Sequence, residues 1–300
     1  MNQEFYCAIN TDGDGFCWGL NNLNQLGDNT ITSRNIPTQI HGTLKWRNIS
    51  GGGTHACGVT EDDDGYCWGY NAYNQLGDNT AVQKAVPTPV DGSLSWKKIA
   101  AGYINSCGIT TDGAAYCWGS DNNSQLGNGG GNTASAVPTA VSGGLVFRDI
   151  EASWAHNCGI TSSDVLYCWG LNGSGQIGDG TVVNKDVPTQ VMTDVHSMEL
   201  GYYNTCAVKN NGTSLCWGTD LYGETGHGYA NQNSSYPSMV LSGEKWLKNM
   251  PTDAQILETD RTNTLSWGVP TNATGVVVLR HTSPVTDAPV DGTAYVANNT

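Results

Sequence analysis

One phrase constrains this chain more than any other: a Cys-Trp-Gly step that returns five times. In the clearest copy, Cys57 to Pro87, the sequence reads CGVTEDDDGYCWGYNAYNQLGDNTAVQKAVP, with nine residues between Cys57 and Cys67. The same pairing recurs at Cys7 and Cys17, Cys107 and Cys117, Cys158 and Cys168, and Cys206 and Cys216. Successive first cysteines are 50, 50, 51 and 48 residues apart, which marks one supersecondary unit copied along the chain.

Within a copy, Leu94-Ser95-Trp96-Lys97-Lys98-Ile99 alternates apolar and polar residues and ends in Ala-Ala-Gly, the pattern of a short strand. Ser106 to Thr110, the turn Thr111-Asp112-Gly113 and Ala115 to Gly119 then read as a hairpin about an Asp-Gly turn. If Cys107 faces Cys117 across that hairpin, both lie on one face and Tyr116 and Trp118 on the other. Directly opposed antiparallel positions are about 4.5 to 5.5 Å apart at Cα, within disulfide reach. The ten cysteines all belong to the five pairs. That regularity favours disulfides and an oxidising compartment, extracellular or at the cell surface, over ten reduced thiols buried as small hydrophobes.

Both faces of the hairpin carry large or apolar groups, so neither can be left to water. Leaning one sheet on the next solves this, and an all-β chain of roughly fifty-residue copies with glycine and aromatic marks fits a β-propeller. A parallel-stranded solenoid competes, but it has no need of Asp-Gly hairpins. Five blade cores are expected near 5–37, 57–87, 107–138, 158–188 and 206–237, within a repeat region 1–250. Their lead strands are placed around Trp46, Trp96, Phe147, Met198 and Trp246. The first hairpin has no lead strand before it and the last lead strand no hairpin after it. Either the tail strand closes a five-bladed ring with the head hairpin, or the chain is a truncated arc of a larger propeller, the reading favoured here.

Composition narrows the partners. With 13 Lys plus Arg against 27 Asp plus Glu, the formal net charge is −14. No cation cluster is present to displace counterions from phosphate, which argues against nucleic acid. No window has the eighteen or more apolar residues of a spanning helix, so membrane insertion is not expected. The opening MNQEFYCAIN has neither the basic nor the apolar region of a secretory signal, as though the chain had been cut into.

The residues Trp68-Gly69, Asn71 and Gln75-Leu76-Gly77, preceded by Gly52-Gly53-Thr54-His55-Ala56-Cys57 and followed by Val86-Pro87-Thr88-Pro89-Val90, resemble the repeat of the regulator of chromosome condensation family. The resemblance covers Met1 to about Met250, and only the fifth copy departs from it, with Glu224-Thr225-Gly226. Its cysteine pairing is similar to the extracellular bacterial branch of that family. The resemblance implies a propeller, usually seven-bladed, that serves as a binding platform.

After Pro251 cysteine disappears. Ile256-Leu257-Glu258, Leu265-Ser266-Trp267 and Val276 to Leu279 read as three strands between polar turns. A lone Trp on the second strand with Pro270 after it resembles the start of a fibronectin type III-like sandwich, incomplete over 251–300.

Candidate chemistry is sparse. His55 and His156 each stand two residues before a repeat cysteine, but Phe5, Asn105 and Asn204 fill the same slot elsewhere, which points to blade packing. Nine residues between cysteines do not make a zinc site. The acidic turns Asp12-Gly13-Asp14-Gly15 and Glu61 to Gly65 lack the full calcium loop and read first as hairpin turns, with calcium left open. Asp28-Asn29-Thr30 and Asp78-Asn79-Thr80 read as Asx turns. No nucleophile elbow, phosphate loop or dinucleotide fingerprint occurs, so neither an enzyme nor a cofactor is expected.

The expected function is a non-enzymatic scaffold for protein–protein interaction, secreted or on a bacterial cell surface and monomeric. Its partner, an unidentified protein or a surface glycan, would meet a rim made by Leu20, Leu23, Tyr70, Tyr73 and Tyr222. The competing reading tucks those side chains beneath the next blade. From the resemblance come two alternatives, an inhibitor that caps a β-lactamase active site and, less well supported, guanine-nucleotide exchange on a small GTPase.

Overall fold

The computed structural model describes residues 5–228, 231–240, 255–257 and 264–266. Its first unit, Met1–Val240, is five antiparallel sheets laid down in chain order. The first sheet holds β1 (Phe5–Ile9), β2 (Gly15–Gly19) and β3 (Arg34–Gln39). The second holds β4 (Trp46–Gly51), β5 (His55–Thr60), β6 (Gly65–Gly69) and β7 (Lys84–Pro89), and the third β8 (Trp96–Ala101), β9 (Asn105–Thr110), β10 (Ala115–Gly119) and β11 (Ser135–Ala140). The fourth holds β12 (Phe147–Ala152), β13 (His156–Thr161), β14 (Leu166–Gly170) and β15 (Lys185–Met192); the fifth holds β16 (Val195–Leu200), β17 (Asn204–Lys209), β18 (Ser214–Gly218) and β19 (Ser234–Met239). These are propeller blades. The lead strands β4, β8, β12 and β16 neighbour one another from sheet to sheet, so they lie nearest the axis. No helix among the described residues is long and apolar enough to cross a membrane.

In every hairpin the two cysteines are directly opposed, for example Cys57 with Cys67 and Cys107 with Cys117. All five pairs are joined, with Cα atoms 4.0 to 4.1 Å apart. Their sulfurs are packed toward the following blade: Cys107 and Cys117 share a cluster with Phe147, Ile150 and Trp169. Trp118, on the opposite pleat, packs toward the preceding blade against Cys57 and Leu76, beside Trp96 of its own blade.

That alternation explains the Gln-Leu-Gly signature. Trp118 Nε1 donates to the Gln75 carbonyl at 2.9 Å, as Trp68 does to Gln25, Trp169 to Gln125 and Trp217 to Gln176. Gly77 has φ +70°, and a Cβ there would stand 2.6 Å from Trp118 Nε1, so no other residue fits. The Gln75 side chain holds its own loop by accepting the Tyr73 N–H at 3.0 Å, and Leu76 is fully buried. In the degenerate fifth copy Glu224 does the same for Tyr222 N–H at 2.7 Å. Between copies, Asn29 N–H donates to the Ala85 carbonyl and Asn79 N–H to that of Ala136, tying each loop to the next blade's outer strand.

The outer strands β3, β7, β11, β15 and β19 carry Pro37, Pro87, Pro138, Pro188 and Pro237. A residue without an N–H is tolerated on a sheet edge and discourages further pairing there.

One register differs from the sequence expectation. Trp46, Trp96 and Phe147 sit opposite Thr60, Thr110 and Thr161, and the residue in that slot of the fifth blade is Val195, opposite Lys209. Met198 instead faces Ala207, as Ile99 faces Gly108. Only two residues separate β15 from β16, against six between β11 and β12, so the slot falls three residues before Met198.

The second unit, Leu241–Thr300, contains β20 (Gln255–Leu257) paired antiparallel with β21 (Thr264–Ser266). The strands expected around Trp246 and over Val276 to Leu279 lie outside the described residues.

Candidate functional site

Two sets of loops share one face of the propeller. Lead strands reach that face at their C-terminal ends, where short loops carry Gly52 to Thr54, Gly102 to Ile104, Ser153 to Ala155 and Gly201 to Tyr203. The long loops after each Trp-Gly are anchored beside them: Tyr70 N–H donates to the Thr54 carbonyl, Ser120 to Ile104, Leu171 to Ala155 and Thr219 to Tyr203, at 2.8 to 3.1 Å. The rim residues expected from sequence therefore stand on this face. Tyr222 and Tyr73 are exposed, at 84% and 45%, whereas Leu20, Leu23 and Tyr70 are half-buried. Tyr70 and Tyr73 meet edge to face with centroids 6.2 Å apart.

Nearer the axis lies a cluster that sequence reasoning missed. The structurally equivalent residues Gly53, Tyr103, Trp154 and Tyr202 follow the lead strands of four consecutive blades, with Tyr203 next to the last. Trp154 and Tyr202 stack with centroids 5.0 Å apart and planes inclined by 16°. Tyr203 meets Trp154 at 5.1 Å and Tyr202 at 4.6 Å, both edge on, and Tyr103 meets Tyr202 at 6.3 Å. All four rings are half-buried. The backbone holds them in place: Tyr103 N–H donates to the Ser153 carbonyl at 3.1 Å, and its own carbonyl accepts the Thr54 hydroxyl at 3.0 Å. The Tyr103 ring lies over Gly53, where any side chain would collide with it. The signal was present in the sequence, since the copies diverge from Gly to Tyr to Trp at one repeat position. Only the fold brings those positions together.

Beneath the rings, the lead strands present charge. Lys98 pairs with Asp149 at 2.8 Å and with Glu151 at 2.6 Å across the third and fourth blades. Burial pushes the Glu151 carboxyl above its usual range, against the pull of Lys98, with Asp149 and Glu199 adding to the rise. Glu199 is exposed on β16.

The histidines belong to the seams. His55 Nε2 bonds the Ser106 hydroxyl at 2.7 Å, and that hydroxyl donates to the Gln75 carbonyl at 2.7 Å. His156 Nε2 bonds Thr205 Oγ1 at 3.0 Å, and Thr205 donates to the Gln176 carbonyl at 2.9 Å. Asn105 plays the part in the third blade by donating to Asn157 Oδ1 at 3.0 Å. Burial alone pulls both imidazoles down to about 3. The acidic turns are tied as hairpins, with Asp14 paired to Lys45 at 2.7 Å and Asp63 to Arg47. Asp28 and Asp78 accept the N–H of Thr30 and Thr80 as Asx turns. Among the described residues no three His, Cys, Asp or Glu side chains converge as metal ligands do.

A family model described as the regulator of chromosome condensation (RCC1) repeat matches residues 12–59, 62–109, 112–160 and 163–208, well over half of the chain. The chain belongs to that repeat family. A second model of the same description matches 46–75, 96–125 and 147–176. Among solved structures, human WBSCR16 is 20% identical with a TM-score of 0.72, covering 80% of this chain and 65% of that one. Prp20p from Saccharomyces cerevisiae, described with its binding properties to Gsp1p and histones, is 19% identical with a TM-score of 0.72, over 85% and 64%. Yeast RCC1 (Prp20) bound to Kap60 gives 20% identity and 0.70, over 85% and 61%. The chain thus spans 61 to 65% of the length of these solved chains, and the likeness is one of fold.

Proposed function

We propose that this RCC1-repeat propeller is a non-catalytic platform that binds a protein partner through the face bearing the aromatic cluster, in an oxidising compartment outside the cytosol. The observation that carries the reading is Tyr103, Trp154, Tyr202 and Tyr203 held together at the axis by three successive blades. Aromatic anchors on a rigid frame are the usual centre of a protein interface, because they bury large area at small entropic cost. Tyr73 and Tyr222 extend the same face outward, as the rim of such a contact. Five disulfides, with no free cysteine among the described residues, support a secreted or cell-surface location, bacterial by the kind of repeat. In this reading the second unit, the start of a fibronectin type III-like sandwich, serves as a spacer.

The test is site-specific photo-crosslinking on the secreting cell, with the photoreactive residue placed at Tyr202 or at Asp112 on the opposite face. One partner band from position 202 that is absent from position 112 is expected. Crosslinks only from position 112, or from neither, would overturn the reading. Capping of a β-lactamase and exchange on a small GTPase are read out by activity assays with purified chain, and neither is expected to change.

A further inference from the structure

Charge at the axial mouth is lopsided. Among the described residues three carboxylates, Asp149, Glu151 and Glu199, stand on the lead strands, and the one ammonium paired with any of them is Lys98; Lys97 of the same strand donates instead to the Arg148 carbonyl at 3.1 Å. Glu151 precedes Trp154 by three residues and Glu199 precedes Tyr202 by three, so each carboxylate lies about 10 Å or less along the backbone from its ring. Lys98 is already committed to Asp149 and Glu151. Glu199 is exposed and has no salt bridge among the described residues.

Among the described residues the other cations of the blades stand away from that charge, with Lys97 and Lys209 at the hairpin-turn end of their strands. Arg34, Lys84 and Lys185 are each tied to an aspartate of their own loop, Asp28 at 2.6 Å, Asp78 at 3.0 Å and Asp179 at 2.6 Å. Lys45, Arg47 and Arg148 are at the other end of the blades, paired with the hairpin-turn residues Asp14, Asp63 and Asp164. The rings add a second attraction of the same sign. The faces of Trp and Tyr are electron-rich and hold a cation by its charge, Trp most strongly. A neutral sugar also stacks on such rings, but it leaves Glu199 unanswered.

Resting on the binding-platform reading above, we propose that the axial mouth accepts a cationic side chain, guanidinium or ammonium, from an extended basic segment of the protein partner. The Tyr103, Trp154, Tyr202 and Tyr203 rings receive it, and Glu199 is its counter-charge. The same charge makes an acidic segment a poor occupant.

The probe is a decapeptide of alternating Gly and Arg, compared with its citrulline counterpart and with a neutral glucose hexasaccharide, each titrated into the intact chain. Tryptophan fluorescence and the resonance of a fluorine label on Tyr202 report binding. The arginine peptide should bind at least about tenfold more tightly than the citrulline peptide, and less tightly as salt rises. Glu199→Gln and Trp154→Ala should each weaken it by about three- to tenfold. Glu199→Gln alters only an exposed side chain, so its near-ultraviolet circular dichroism stays unchanged and the result is readable even if Trp154→Ala disturbs the loop. Equal affinity for the citrulline peptide, binding of the hexasaccharide alone, or no binding by any probe would each overturn the cationic occupant. Crosslinking from position 202 would survive all three, so failure here is distinct from failure of the platform.

Discussion

The seam between blades and the mouth at their axis are built from the same repeat, yet they use it in opposite ways. At the seam the tryptophan contact repeats: Trp donates to the preceding Gln carbonyl four times over, and the glycine after that Gln–Leu or Gln–Ile step lies under the indole each time. At the mouth the copies diverge, with Glu151 and Glu199 alone repeating a neighbour. One strand position reads Ser50, Ala100, Glu151, Glu199, and one loop position reads Gly53, Tyr103, Trp154, Tyr202. The seam is buried, and each of its polar groups must find a partner or cost about 1 to 3 kcal/mol. The mouth meets water and a partner, so the same constraint is lifted. Repetition marks what holds the blades, and divergence between copies marks what the blades can be used for.

The sharpest way to break this comparison is to make one substitution in both places. Trp118→Ala opens a fully buried seam and orphans part of the Gln75 carbonyl's bonding; it should cost about 3 to 5 kcal/mol in denaturant unfolding. Trp154→Ala, at the half-buried mouth, should cost about 1 kcal/mol. Equal costs would mean the mouth is structural too.

Next in size are the disulfides. Replacing Cys107 and Cys117 by Ala together opens a hairpin bridge closing a short loop, with an expected loss of about 2.7 kcal/mol on a chain-entropy account. Thermal melts of the oxidised chain and the double variant check it.

Acid probes the seam through its buried histidines. Unfolded, His55 and His156 take up a proton below about pH 6.5; folded, burial delays this to about pH 3. Stability is therefore complete above pH 6.5 and falls as pH drops, by about 2 kcal/mol per histidine at pH 5. His156→Asn borrows the residue that already works at position 105. It should remove about half of the loss between pH 7 and pH 5, measured by urea midpoints at both. An unchanged loss would place the acid sensitivity elsewhere.

The smallest effect belongs to the mouth. Glu199→Gln should leave stability within about 0.5 kcal/mol, since the side chain is exposed, while weakening the arginine peptide. A large destabilisation would show that Glu199 holds the fold rather than a ligand.

Sequence alone determined the repeat, the hairpin between the cysteines of each pair, the opposed cysteines and the need for blade to lean on blade. All of these follow from local spacing: alternation puts Cys107 and Trp118 on opposite pleats whatever surrounds them. The packing role of His55 and His156 was legible as well, because Asn105 fills their slot. The register of the fifth lead strand was legible only from the cysteines, since Val195 stands eleven residues before Cys206, as Trp46, Trp96 and Phe147 stand before Cys57, Cys107 and Cys158, but lacks their aromatic ring. The aromatic mouth was not legible. Tyr103, Trp154 and Tyr202 are separated by about fifty residues each, and each looks like an ordinary loop residue in its own copy. Only rotation of blade after blade about one axis brings them into contact, and a contact of that kind is a property of the arrangement rather than of any single repeat.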